Sequence, residues 1–208
     1  MNNPTESQPK PRKEEILDVA TRYFAERGYE GTSMNDVAEA VGVRKASLFY
    51  HFETKDALYE AVLDRLIATI ATPLGAAYAA EGSWEDRLVN AADTVTAMLA
   101  SHRYAAKLLL REAMDWGPVM RGELAGHAVA VLEMSAAFLK AGQDAGVFAE
   151  ADPKQIMVSL LGLHFVPFAL EQLFERFTGK SPFDPEFVQA RRAAVRRQIR
   201  DLVMAGKS

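Results

Sequence analysis

The sequence predicts an all-α protein of about nine helices, and three observations carry that prediction. Apolar residues recur at helical spacing from Arg12 almost to the C-terminus. Helix-starting residues (Ser33, Thr54, Ser83, Asp152-Pro153, Asp184-Pro185) and helix-ending glycines (Gly28, Gly42, Gly146) cut the pattern into segments of ordinary helix length. No segment alternates polar and apolar residues between turn signals, as a half-buried strand would.

The elements follow in order. Residues 1–11 carry Pro4, Pro9 and Pro11 among polar residues and read as a flexible arm. Ile16, Leu17, Ala20 and Phe24 line one face of a first helix that ends at Gly28. Ser33-x-x-Asp36 has capping-box spacing and opens a second, whose buried face would be Met34, Val37, Ala38 and Val41. After Gly42 a short third helix covers about 44–52, and Thr54 can cap a fourth running from Lys55 toward Pro73. Ser83-x-x-Asp86 starts the fifth, and the sixth covers about 104–114 before Trp116-Gly117-Pro118 breaks it. The seventh covers about 119–145. The eighth and ninth start at the two Asp-Pro pairs, with Gly162 and Pro167 inside the eighth, where the proline should kink or loosen it.

Composition narrows the function classes. The chain has 208 residues, 49% hydrophobic and 25% charged, enough for one large or two small domains and too apolar for a disordered chain. With no cysteine there is no disulfide framework and no thiolate ligand or nucleophile. The opening MNNPTESQPKPRK lacks the apolar core of a signal peptide, and the apolar stretch 159–170, about 12 residues, is short of the roughly 20 a membrane span needs. A cytoplasmic protein without a membrane role is expected. The net charge of −4, from 24 Lys+Arg and 28 Asp+Glu, excludes a broadly basic nucleic-acid coat. Any nucleic-acid contact must be a local patch.

One stretch offers such a patch. In MNDVAEAVGVRKASLFYHF, Ala38 is small enough for close helix crossing, Gly42 permits a tight turn, and Val43 and Leu48 anchor the pair. Leu48 and Phe52, four apart, face inward, while Lys45, Ser47, Phe49, Tyr50 and His51 project outward to differing degrees. That surface suits a major groove. A helical hairpin inside an all-α domain has the same spacing, so spacing alone leaves both readings open.

Residues 15–62, EILDVATRYFAERGYEGTSMNDVAEAVGVRKASLFYHFETKDALYEAV, resemble the N-terminal DNA-binding domain of TetR-family transcriptional regulators. The likeness is nearly gap-free and includes FAERGYEGTS, the AEAVGV turn, LFYHF and TKDAL. It implies a three-helix helix-turn-helix domain over 12–54 and an effector-binding and dimerisation domain over 55–208. By the same resemblance Thr32 or Ser33 caps the second helix and offers donors to a phosphate. Lys45, Ala46, Ser47, Phe49, Tyr50 and His51 stand where family members contact bases or backbone, and Lys55 where a family lysine reaches a phosphate. Two positions depart from the pattern. Phe49 replaces a common tyrosine, losing a hydroxyl but keeping apolar contact. Arg44 replaces a serine suited to capping the third helix, which makes it a phosphate-contact candidate instead. Tyr50 is expected to pack partly against the first helix with only its edge near DNA, and Lys10, Arg12 and Lys13 can be a DNA-binding arm or a solvated tail.

The remainder resembles the family only in general character. The expected effector is small and largely apolar, held among Met98, Leu99, Tyr104, Leu108, Arg111, Trp116, Met120, Met134, Phe138, His164 and Phe168. Each of these also fits plain core packing, and Arg111 beside Glu112 fits either a ligand-carboxylate contact or a pairing within the protein. The resemblance implies a homodimer through the eighth and ninth helices, with Leu160, Leu163, Val195 and Ile199 at the interface. Arg192, Arg196 and Arg200 would form a solvated rim or pair with Glu171 and Glu175. The expected partner is a pseudo-palindromic operator, and the expected action is repression relieved by the effector. Four histidines lack metal-site spacing, and there is no phosphate loop or nucleophile elbow, so neither metal, cofactor nor enzymatic activity is expected. The rival reading is a helical small-molecule carrier without DNA binding, which leaves residues 32–55 unexplained.

Overall fold

The structure, a computed structural model, describes residues 12–115, 122 and 124–204. The described residues form ten helices and no strand. These are α1 (Arg12–Arg27), α2 (Met34–Val41), α3 (Lys45–His51), α4 (Lys55–Ala79), α5 (Trp84–Ser101), α6 (Ala105–Asp115), α7 (Leu124–Asp144), α8 (Pro153–Ala169), α9 (Glu171–Thr178) and α10 (Pro185–Met204). Two compact units divide between Leu63 and Asp64, inside α4.

In the first unit the expected face of α1 is the buried one: Ile16, Ala20 and Phe24 are fully enclosed and Leu17 nearly so. The Phe24 ring meets Tyr59 edge-on at 4.7 Å. Val37, Ala38, Leu48 and Phe52 complete this core.

In the second unit the cores of α5, α7, α8 and α10 meet in one cluster that includes Leu88, Phe138, Phe148, Leu160, Val195 and Ile199. Gly142 of α7 is required there, because a Cβ would lie 2.2 Å from the Phe148 ring. Gly162 serves no such approach within the subunit; a Cβ there meets nothing within 4 Å.

Two elements depart from expectation. α4 continues through Pro73 to Ala79, because Ile70, Leu74 and Tyr78 extend its apolar stripe four residues at a time and outweigh the lost backbone bond. The predicted eighth helix is two, α8 and α9, meeting at 81° at Leu170. Pro167 has no N–H to give the carbonyl four residues back, and that carbonyl, of Leu163, accepts from Arg191 Nη2 of α10 instead. Helix α7, 21 residues with a mean hydropathy of 1.3 in its most apolar window, is long and apolar enough by composition to cross a membrane, which the stretch 159–170 did not suggest. Its Val131, Leu132, Phe138 and Leu139 are occupied by the cavity wall and core of the bundle.

Candidate DNA interface and effector cavity

The α2–α3 pair is built by local hydrogen bonds. Ser33 Oγ accepts from the Asp36 amide at 3.2 Å while Asp36 Oδ2 accepts from the Ser33 amide at 3.1 Å, the reciprocal box its spacing predicted. These bonds to Ser33 hold the Asp36 carboxyl below its ordinary pKa. Gly42 takes the left-handed conformation (φ 73°) that lets the chain turn directly into α3. As expected, Arg44 gives α3 no side-chain cap. Thr54 Oγ1 accepts from the Ala57 amide at 3.1 Å and so caps α4.

The surface these elements present differs in two places from the expected one. Thr32 is 2% exposed; its hydroxyl donates to the Gly28 carbonyl at 2.9 Å and its amide to the Tyr29 carbonyl at 3.3 Å. Both its donors are spent, so it has none for a phosphate. Tyr50, at 86% exposure, does not pack on α1; its only ring neighbour among the described residues is His51, edge-on at 5.4 Å. Around it Arg44, Lys45, Ala46 and Ser47 are exposed, and Phe49 and His51 half-buried. The Lys45 ammonium lies 5.5 Å from the Phe49 ring, and the Lys55 ammonium 4.0 Å from the Tyr29 ring. Tyr29 in turn donates to Asp56, which steadies the start of α4. Lys10, within residues 1–11, lies outside the described residues.

The second unit holds a half-open cavity of about 340 Å³ between α4, α5, α6, α7 and α8, with Ile199 of α10 at its edge. Its wall is aliphatic and rich in alanine, with Ala91, Ala92, Ala113, Ala125 and Ala128 among the lining residues. Of the residues expected to bind an effector, His164 lines it. Met98, Leu99, Tyr104, Leu108, Arg111, Met134, Phe138 and Phe168 do not, and Trp116 and Met120 lie outside the described residues. The displaced residues have other work: Leu99, Leu108, Phe138 and Phe168 are buried as packing, and Met134 lies over Gly75 of α4. His164 Nδ1 lies 3.1 Å from Thr96 Oγ1. Burial, and then Arg191, push the imidazole pKa down to about 4, with Asp93 opposing.

The arginine row is neither a free rim nor paired with Glu171 and Glu175. Arg192 and Arg196 of α10 both pair with Asp93 of α5, and Arg200 pairs with Glu85 at 2.6 Å. Glu171 is held by Arg103. Burial raises the Asp93 pKa, but hydrogen bonds from Arg196 and Arg192 outweigh it and leave the carboxyl below its ordinary value. The residues expected at a dimer interface are also placed elsewhere. Leu160, Val195 and Ile199 are buried in the subunit's own core, with Leu163 packed against them. The large apolar residues left exposed in this unit include Val158 of α8, Leu170 at the bend, and Leu173 and Phe177 of α9, with Met114, Val129 and Leu202 on other helices.

Residues 16–62 match the family of bacterial regulatory proteins called tetR, and residues 85–203, more than half the chain, match the tetracyclin repressor-like C-terminal domain. The chain belongs to the TetR family. Among TetR-type relatives, the HTH-type transcriptional regulator RutR of Escherichia coli (strain K12) is 30% identical over 183 residues, 85% of this chain and 82% of RutR. The biofilm operon icaADBC negative transcriptional regulator IcaR of Staphylococcus aureus (strain Newman) is 48% identical over 48 residues, which are 23% of this chain and only 26% of IcaR. The crystal structure of AibR in complex with isovaleryl coenzyme A and operator DNA has the same fold, with a TM-score of 0.72 at 18% identity, over 91% of this chain and 98% of that one.

Proposed function

We propose that this chain is a ligand-responsive transcriptional repressor of the TetR family, a cytoplasmic homodimer without enzymatic activity. Residues 12–63 bind a pseudo-palindromic operator, and residues 64–204 bind a small, largely apolar effector and dimerise. The observation that carries the reading is the α2–α3 unit. It turns Leu48 and Phe52 inward and leaves Arg44, just ahead of α3, and Lys45, Ser47 and the almost fully exposed Tyr50 on that short helix, exposed in an otherwise acidic protein. Arg44 and Lys55 contact phosphates, while Lys45, Ala46, Ser47, Phe49, Tyr50 and His51 meet bases or backbone. RutR and IcaR, both named as transcriptional regulators and IcaR as a negative one, support the repressor assignment. The AibR complex, which holds a ligand and an operator together, supports effector control on this fold. The effector lowers operator affinity only by the factor separating its own affinities for the free and DNA-bound states.

The test is selection of bound fragments from the source genome, followed by titration at several salt concentrations. Arg44→Ala should weaken binding on all sequences and reduce the log-log salt slope by about 1, whereas Ser47 and Tyr50 substitutions should change base preference. A protein that retains no genomic fragment at low salt is a carrier, and the repressor reading falls.

A further inference from the structure

Three polar side chains line the cavity among the described residues, Tyr78, Ser135 and His164, and hydrogen bonds inside the protein decide what Ser135 and His164 can offer a ligand. A carbonyl oxygen can only accept, so the hydrogen between Thr96 Oγ1 and the Ala92 carbonyl, 3.1 Å apart, belongs to Thr96. With its one hydrogen used, that hydroxyl can only accept from His164 Nδ1. Both contacts of Thr96 are hydrogen bonds at once only when the imidazole carries its proton on Nδ1, which leaves Nε2, with no partner among the described residues, a bare acceptor. The same logic holds on α7. Ser135 Oγ donates to the Val131 carbonyl at 2.9 Å, so its one hydrogen is spent and it offers a ligand only lone pairs. No Lys, Arg, Asp or Glu lines the cavity among the described residues.

We propose that this cavity selects an uncharged, largely apolar molecule carrying a hydroxyl-type donor, which it places on His164 Nε2, and that it rejects anions. The inference rests on the cavity being the effector site, and it names the class of effector. Among the described residues a carboxylate would meet no cation and at most the Tyr78 hydroxyl as a donor, so most of its desolvation would go uncompensated. An ammonium would meet no carboxylate among the described residues. A hydroxyl finds an acceptor held in place from behind by Thr96, and its hydrocarbon remainder lies among alanine, leucine and valine side chains. Arg111, the residue that would have favoured an acidic headgroup, stands outside the lining.

The test is a matched series on the full chain: 4-phenylphenol, its methyl ether, and biphenyl-4-carboxylate, followed by thermal shift and calorimetric titration. The phenol should bind about tenfold more tightly than the ether, one neutral hydrogen bond's worth, and about a hundredfold more tightly than the carboxylate. His164→Phe should remove the phenol's advantage over the ether while Tyr78→Phe keeps it. Where His164→Phe fails to fold, the wild-type series alone decides. Equal binding of phenol and ether, tight binding of the carboxylate, or loss of the preference in Tyr78→Phe alone overturns the proposal and leaves an apolar ligand cavity standing. Binding of none of the three overturns the cavity reading together with the proposal. Operator release by the bound phenol, measured separately, tests effector control itself.

Discussion

A buried imidazole that stays neutral makes folding depend on pH. His164 is 6% exposed with a pKa of about 4, against 6.5 for the ordinary side chain; Arg191 of α10 reinforces burial and Asp93 of α5 opposes it. Between those values the unfolded chain takes up a proton that the folded one refuses, so stability is full above pH 6.5 and declines as the pH falls toward 4. The loss is about 3 kcal/mol over that window. Urea denaturation at pH 7, 5.5 and 4.5 should record the decline, and His164→Phe should flatten it; an unchanged slope in the variant would place the titration elsewhere. How much of the site the sequence disclosed is also decided residue by residue. Leu48 and Phe52 were legible because inward positions on a short helix repeat every four residues. The cavity lining was not, for a physical reason. Large residues such as Leu99, Leu108 and Phe138 fill space, whereas the cavity lies where Ala91, Ala113, Ala125 and Ala128 leave it empty. Searching for methionines and aromatics finds the packing and misses the void.

Among the elements, caps and glycines were readable because each acts over one turn. Ser33 with Asp36 and Asp152 before Pro153 do what their spacing announces, whereas Ser83, spaced for a second capping box with Asp86, accepts from the Asp86 amide without the return bond to its own amide. Asp184 differs in part: its carboxylate accepts from the Ser181 amide at 3.1 Å and so steadies the turn ahead of α10. Contacts between distant helices left no such trace. The α5–α10 clamp joins Asp93 to Arg192 and Arg196 across about a hundred residues, and nothing near Asp93 in sequence marks it. Asp93 Oδ1 and the Nε atoms of Arg192 and Arg196 are buried without partners, so the clamp orients the two helices more than it stabilises them. Asp93→Ala should cost roughly 1–3 kcal/mol, since it strands two arginines, while Arg196→Ala, on a side chain 44% exposed, should cost less than about 1 kcal/mol. Denaturant midpoints separate the two. Equal costs would mean that Arg192 holds Asp93 no better than solvent does.

At the scale of the whole molecule, an operator with two half-sites requires two copies of α3, and half-sites one turn apart fix their separation at roughly 34–36 Å. The contact that joins the copies must come from apolar surface the subunit does not already use. Val195 and Ile199, each 1% exposed, are used; Val158 (62%), Leu173 (62%) and Phe177 (83%) are not. An isologous contact through α8 and α9 would cover these side chains in both subunits at once, whereas a lone subunit leaves them in water. The two sets therefore give opposite signatures on substitution by aspartate. Val195→Asp should unfold the subunit, because a carboxylate in that core costs several kcal/mol with no partner to offset it. Leu173→Asp and Phe177→Asp should leave helix content and the denaturation midpoint nearly unchanged. They should nonetheless shift sedimentation from dimer to monomer and weaken operator binding, since each half-site must then be occupied independently. Folded variants that remain dimeric would place the subunit contact on another face, with the exposed side of α10 around Leu202 the next surface to test.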